Sequence, residues 1–185
     1  MSPKYKPGDR VITFRPGCFR TFLRNPEVMF QKVPDEMSFE GAASIPCIYC
    51  TPYYSIFDVA RLRKNESILI HSAAGGVGQA AIILAQYIGA DIFVTVSSEV
   101  KKSFLINKYN IPEDHIFNSR DYGFAAGTKR MTNAKGVDVV LNPLAGGLRQ
   151  TWLHPSVASS NSVRETSVWY PIFPLSTYLL TTCSS

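Results

Sequence analysis

The sequence has little of what marks a secreted, membrane-spanning or metal-holding protein. Its four cysteines, Cys18, Cys47, Cys50 and Cys183, show no disulfide-framework spacing, and the opening residues MSPKYKPGDR lack the apolar stretch of a signal peptide. A reducing, cytoplasmic setting is the simplest expectation. Long apolar runs are also lacking: the one candidate, Val168 to Thr182, contains Pro171 and Pro174 and falls short of the ~20 residues that span a bilayer. No membrane segment is expected. Cys47 and Cys50 make a C-x-x-C pair, but there is no second pair and no suitably spaced histidine, so no metal site is expected. Nor is there a Ser/His/Asp or paired-carboxylate constellation. His71 and His115 flank strands and read as hydrogen-bonded structural residues rather than as bases. The net charge of +5 is spread along the chain and not gathered into a stripe, which argues against a nucleic-acid partner.

What is present is a chain of 185 residues with 45% apolar content, enough for a globular core. From Tyr5 to Val33, short apolar runs are punctuated by Pro7-Gly8-Asp9, Pro16-Gly17 and Asn25-Pro26, the composition of strands and turns. A few strands cannot enclose a core alone, so residues 1–37 read as the end of a larger β-rich module. Ser38 is placed to cap a helical stretch that Pro46 and Pro52 divide into pieces. The rhythm then changes. ESILIHSA, DIFVTVS, DHIFN and GVDVVLN read as strands, and GQAAIILAQYIGA, EVKKSFLINKY and YGFAAGTKRM as the helices between them. Strands alternating with helices of about ten residues predict βαβ units and a parallel sheet of about four strands within residues 38–152. From Leu153 to Ser185 no period of 2 or 3.6 can be found, and no regular structure is expected.

The motif that carries chemistry is HSAAGGVGQAA, where the strand ESILI turns into a helix. Gly75 and Gly78 hold the second and third glycine positions of the dinucleotide fingerprint, and Ala73 replaces the first. Gly75 lets the backbone approach a pyrophosphate, Gly78 lets helix and strand pack closely, and the helix N-terminus offers N–H groups to the anion. Ala74, Gly75, Gly76, Val77 and Gly78 are the candidate pyrophosphate residues. A tight turn with no ligand is the competing interpretation.

About 20 residues on, where an NAD site places Asp or Glu against the ribose hydroxyls, the sequence reads TVSSEVKK. Ser97 and Ser98 leave that position uncharged, and Lys101 and Lys102 follow one helical turn later. The pattern suits a 2′-phosphate, so the expected cofactor is NADPH. Ordinary surface lysines on a solvated first turn are the alternative.

Over roughly Lys6 to Trp152, the runs SFEGAASIPCIYCTPYYSIFDVARLRKNESILIHSAAGGVGQAA, HIFNSRDYGFAAGTKRMT and GVDVVLNPLAG resemble the enoyl reductase domain of fungal highly reducing polyketide synthases. That family lies in the zinc-free branch of the medium-chain dehydrogenase/reductase superfamily. The resemblance implies a doubly wound, Rossmann-like α/β domain preceded by a GroES-like β-rich module. It also implies NADPH-dependent reduction of an α,β-unsaturated thioester carried on an acyl carrier protein. By matching position it places Ser98 and Lys101 at the 2′-phosphate, and Ser119 and Arg120 near the adenosine phosphate. Thr51 falls near the nicotinamide, with Asn142 and Leu144 in the loop beside it. No catalytic residue is assigned.

Pro52 and Pro143 stand where relatives have Ala and Ser. The likeness stops after Trp152, where relatives continue with a GRF-[VI]-E-[IF]-GKRD strand whose lysine is absent here. LHPSVASSNSVRETSV can be written in permitted codons that, read one base earlier, give AASVGRFIEFGKRDIG. The expectation from the sequence is therefore an enzyme segment truncated at both ends, with an out-of-frame tail and little or no activity by itself. A non-catalytic NADPH-binding or synthase-docking module, and a quinone or enone oxidoreductase of the same superfamily, are the alternatives.

Overall fold

The computed structural model describes residues 4–15, 17–18, 20–120, 123–142, 164–167 and 181–182. The chain divides into two compact units, Met1–Cys47 with Tyr170–Ser185, and Ile48–Trp169.

In the first unit, β1 (Arg10–Thr13) pairs antiparallel with β2 (Phe30–Lys32). Arg10 ties the chain beyond β2 to this sheet. Its guanidinium donates to the carbonyls of Pro34, Asp35 and Met37, and it stacks on the Phe39 ring at 4.3 Å. Phe39 opens α1 (Phe39–Ser44), and Ser38 caps it as expected, accepting from the Gly41 N–H at 3.0 Å. These ties hold the start of α1 against the strands of the first unit.

The helical path continues without interruption. Ile45–Tyr49 is wound as a π-helix, α2 (Cys50–Tyr53) is α-helical, and Tyr54–Val59 is again π-helical. Pro46 and Pro52 therefore do not cut the stretch. A proline lacks the N–H for the i→i−4 ladder and crowds the preceding turn, and a wider turn absorbs both defects.

The second unit carries the expected βαβ rhythm: β3 (Ser67–Ile70), α3 (Gly76–Ile88), β4 (Asp91–Val96), α4 (Glu99–Tyr109), β5 (Ile116–Asn118), α5 (Gly123–Met131) and β6 (Val139–Asn142). Helix α3 stops where Gly89 turns left-handed at φ +80°, a conformation that costs glycine nothing. The sheet is all parallel, in the order β5-β4-β3-β6-β7, where β7 is Arg164–Ser167.

This fifth strand, with the two-residue β8 (Thr181–Thr182) paired to β1, corrects the expectation of no regular structure over 153–185. A four-residue strand is too short to show a period, and here neighbours supply the order. Its backbone pairs with β6, while the Arg164 side chain donates to the Ala60 carbonyl at 2.7 Å and meets Glu66 at 2.5 Å. The rest of that segment, and with it Pro143 and Leu144, lies outside the described residues.

Strand β3 explains why the sheet must be covered on both faces, since Ile68, Leu69 and Ile70 are all at 0% exposure. On one side Ile68 and Ile70 pack with Ala81, Ile82 and Ala85 of α3. On the other, Leu69 packs with Phe93, Phe124 and Val140. Chain order reverses between β3 and β6, so the loops at the C-terminal ends of β3, β4 and β5 open beside a topological switch point, where doubly wound sheets hold their ligands.

Candidate nucleotide site

Three of those loops converge on one small pocket of about 130 Å³, lined by Ser72, Ala74, Gly75, Val96, Ser97, Lys101 and Ser119. Ala74, Gly75, Ser97, Lys101 and Ser119 come from three separate sequence segments, and all five are candidates singled out by the sequence. Among the described residues that line the pocket there is no carboxylate.

The glycines of the fingerprint separate into distinct tasks. A Cβ on Gly78 would sit 2.5 Å from Ala73 Cα and 2.7 Å from the Ala73 carbonyl oxygen, so α3 can begin this close to the end of β3 only without a side chain there. Gly75 is the N-cap of α3 in ordinary extended backbone, φ −77° and ψ 167°, and a Cβ there would meet nothing closer than Ser72 O at 3.3 Å. Gly76 lies under Ile48, whose Cδ1 is 3.0 Å from where a Cβ would be. Val77 completes the first turn. That turn carries no acidic residue and no side-chain cap, so its N–H groups face an approaching anion without competition from a carboxylate.

The lysines behave differently from each other. Lys101 Nζ is held 3.1 Å from Ser97 Oγ, at the pocket. Lys102 turns away to an ion pair with Glu113 at 2.8 Å, and that hydrogen bond raises the Lys102 pKa and lowers that of Glu113. Glu113 is largely exposed while Lys102 is half-buried, and a pair so open to solvent on one side adds little to stability. Ser98 spends its hydroxyl on capping α4, accepting from the Lys101 N–H at 3.4 Å. It lines a neighbouring hollow of about 250 Å³ with Ser97, Glu99, Lys102, Phe117 and Asn118. Ser97, not Ser98, therefore accompanies Lys101 in the smaller pocket.

Arg120 is exposed, its backbone N–H bound to Asn118 Oδ1 at 2.9 Å, and it is not in the pocket lining. Thr51 is half-buried in α2, one turn after Ile48, with its carbonyl accepting from Ser55 Oγ at 3.0 Å. Asn142 ends β6 and is 4% exposed. Neither Thr51 nor Asn142 lines the pocket, and Leu144 lies outside the described residues.

The structure adds Ser72, which the sequence did not single out. It stands in the left-handed region at φ +51°, and its carbonyl accepts from the Gly75 N–H at 2.9 Å, which closes the loop. His71, just before it, is 1% exposed, with Nδ1 3.0 Å from Thr95 Oγ1 and its ring edge-on to Phe124. Burial pushes its pKa down to about 4, so the ring is neutral at ordinary pH and serves packing. His115 is stacked on Phe93 and bonded to the Ile92 carbonyl at 3.0 Å. Among the described residues no three His, Cys, Asp or Glu side chains gather to hold a metal, and no helix is long and apolar enough to cross a membrane.

Comparison with known proteins gives a consistent picture. No family model matches the chain. Over 151 residues it is 58% identical to the reducing polyketide synthase FUB1 of Gibberella moniliformis, an alignment covering 81% of this chain and 6% of that protein. The highly reducing polyketide synthase tstA of Talaromyces stipitatus is 58% identical over 146 residues, covering 78% of this chain and again 6% of the relative. The chain thus spans a small part of the curated relatives it matches.

Among solved structures, the CurF ER cyclopropanase from the curacin A biosynthetic pathway superposes with a TM-score of 0.79 and 32% identity, over 96% of this chain and 50% of that one. The CurK enoyl reductase gives 0.63 and 40%, over 71% and 38%. The nucleotide-binding subdomain of the enoylreductase domain of PpsC from Mycobacterium tuberculosis gives 0.52 and 37%, over 63% and 62%.

Proposed function

Starting from a chain that is a homologue of fungal reducing polyketide synthases and has the fold of medium-chain enoyl reductase domains, we propose that its second unit binds NADPH in the pocket at the ends of β3, β4 and β5. The activity we assign is reduction of an α,β-unsaturated acyl thioester presented on a carrier protein within a synthase. The observation that carries the proposal is the convergence of Ala74, Gly75, Ser97, Lys101 and Ser119 on one pocket. The solved PpsC neighbour, described as a nucleotide-binding subdomain, supports it.

The residues present fit a phosphorylated dinucleotide. The first turn of α3 offers backbone N–H groups to the pyrophosphate, and Gly75 keeps side-chain bulk out of its path. Lys101, steadied by Ser97, is assigned to the ribose side, where an NADH site would place a carboxylate. Lys102 is engaged with Glu113 and contributes less. Ser119 closes the pocket from β5, and Arg120 lies beside it in sequence. Thr51 and Asn142 are assigned to the nicotinamide end. When bound, the nicotinamide supplies hydride, and the protein's tasks are to orient it, shield it from water and exclude competing reactions. Fold alone does not fix the reaction, since one neighbour is a cyclopropanase; the pocket supports the cofactor, and the reaction is inferred from the polyketide synthase relatives and the enoyl reductase neighbours.

Titration of the full chain with NADPH and NADH tests the proposal. The wild type binds NADPH more tightly, and Lys101→Ala weakens NADPH about tenfold, the order of one charge-assisted contact at an exposed site, while NADH affinity stays within about twofold. Equal wild-type affinities for the two cofactors overturn the assignment.

A further inference from the structure

Gln79 lies one turn into α3 and does not line the pocket, yet it grips the pocket wall. Its Nε2 donates to the Ala74 carbonyl at 2.9 Å. The other end of the same peptide, the Gly75 N–H, donates to the Ser72 carbonyl at 2.9 Å. Both polar ends of the Ala74–Gly75 peptide are therefore committed inside the loop. The direction of the glutamine amide is fixed as well. Tyr109 OH donates to Gln79 Oε1 at 2.9 Å, and Lys108 Nζ lies 3.3 Å from the same oxygen. Both groups are donors there, so the oxygen must face α4 and the NH₂ must face Ala74. Tyr109 is itself anchored, 7% exposed and with its carbonyl accepting from Gln86 Nε2 at 2.7 Å.

We infer that Gln79, with its amide set by Tyr109 and Lys108, is a positioning residue that holds the Ala74 carbonyl toward the helix and away from a bound pyrophosphate. The inference rests on the cofactor assignment above. A backbone carbonyl turned toward an anion presents the negative end of its dipole, so the peptide orientation decides whether this loop attracts or repels phosphate. A pair of helices could be joined by many side chains. Only a donor that reaches back to residue 74 also controls the loop.

The test uses the full chain titrated with NADPH and with NADH, and two substitutions at one position. Gln79→Glu keeps the acceptor for Tyr109 and Lys108, preserving the bridge between helices, but has no hydrogen to give Ala74. Gln79→Met removes the donor without adding charge. Both variants are expected to bind NADPH and NADH about tenfold more weakly than the wild type, and by equal factors, because the two cofactors share the pyrophosphate. This parity separates the effect from that of Lys101→Ala, which touches NADPH alone. Wild-type affinity in Gln79→Met, or a loss confined to NADPH in both variants, overturns the inference while leaving the cofactor assignment standing. Absence of binding in the wild type overturns both. Where circular dichroism shows the Gln79 variants unfolded, Tyr109→Phe decides instead. It removes only the hydroxyl that orients the amide, and it is expected to weaken both cofactors about threefold. Unchanged binding in that variant is the contrary result.

Discussion

Gly78→Ala is expected to lower the stability of the second unit by about 3 kcal/mol, or to leave the protein insoluble, although it adds a single methyl group. Alanine is the best helix former, and in an exposed helix the exchange would be favourable by about 1 kcal/mol. Here the methyl would sit 2.5 Å from Ala73 Cα and 2.7 Å from Ala73 C, and both of those atoms are backbone. Backbone cannot rotate aside as a side-chain tip can. Either α3 moves off the sheet, opening gaps beside Ala81, Ile82 and Ala85, or the loop after β3 is displaced. Chemical denaturation of the purified variant measures the loss. A midpoint equal to that of the wild type would mean that helix and strand are not packed as closely as described.

Gly75→Val, three residues earlier, is expected to do the opposite: the fold survives and nucleotide binding is lost, by about a hundredfold or more. The backbone of Gly75 is already in a region open to any residue, and its nearest neighbour to a Cβ is Ser72 O at 3.3 Å, so the fold can take the side chain with a small adjustment. What the branched side chain fills is the space over the first turn of α3 on the pocket wall. Calorimetric titration with NADPH alongside a thermal melt reads the two effects separately. Retained affinity would reduce the motif to a turn. The contrast between the two glycines is the more informative result, because a merely structural loop would lose stability at both.

The parts legible in the sequence are those set by local rules. Ser38 as a cap, Gly89 as a helix stop, and the alternation from β3 to β6 follow from capping chemistry, left-handed glycine and buried apolar runs. Gly75, Gly78, Ser97 and Lys101 were legible because a strand, a loop and a helix came in the right order around them. Features that depend on distant partners were not. Strand β7 takes its order from β6 and from the grip of Arg164 on Ala60 and Glu66, roughly a hundred residues earlier in the chain. Gly127 bears no mark of its packing role in the run YGFAAGTKRM. In the fold, a Cβ there would lie 2.2 Å from the Phe117 ring, so its smallness is what lets α5 pack on β5. Gln79 carries no signal of its own in the run GQAAIILAQ, and only the meeting of α3 with α4 shows its link to Tyr109 and Ala74. The choice between Ser97 and Ser98 likewise depended on which hydroxyl α4 needed for its cap.

Lys101 and the loop from Ser72 to Gly75 are proposed as a site for a nucleotide bearing a 2′-phosphate. Displacement of NADPH from the full chain by 2′,5′-ADP and by 5′-AMP tests it most directly, since the two competitors differ only in that phosphate. 2′,5′-ADP is expected to displace NADPH at concentrations about tenfold or more below those 5′-AMP requires, the order of one charge-assisted contact. Equal potency of the two competitors, or a chain that binds no NADPH at all, would contradict it.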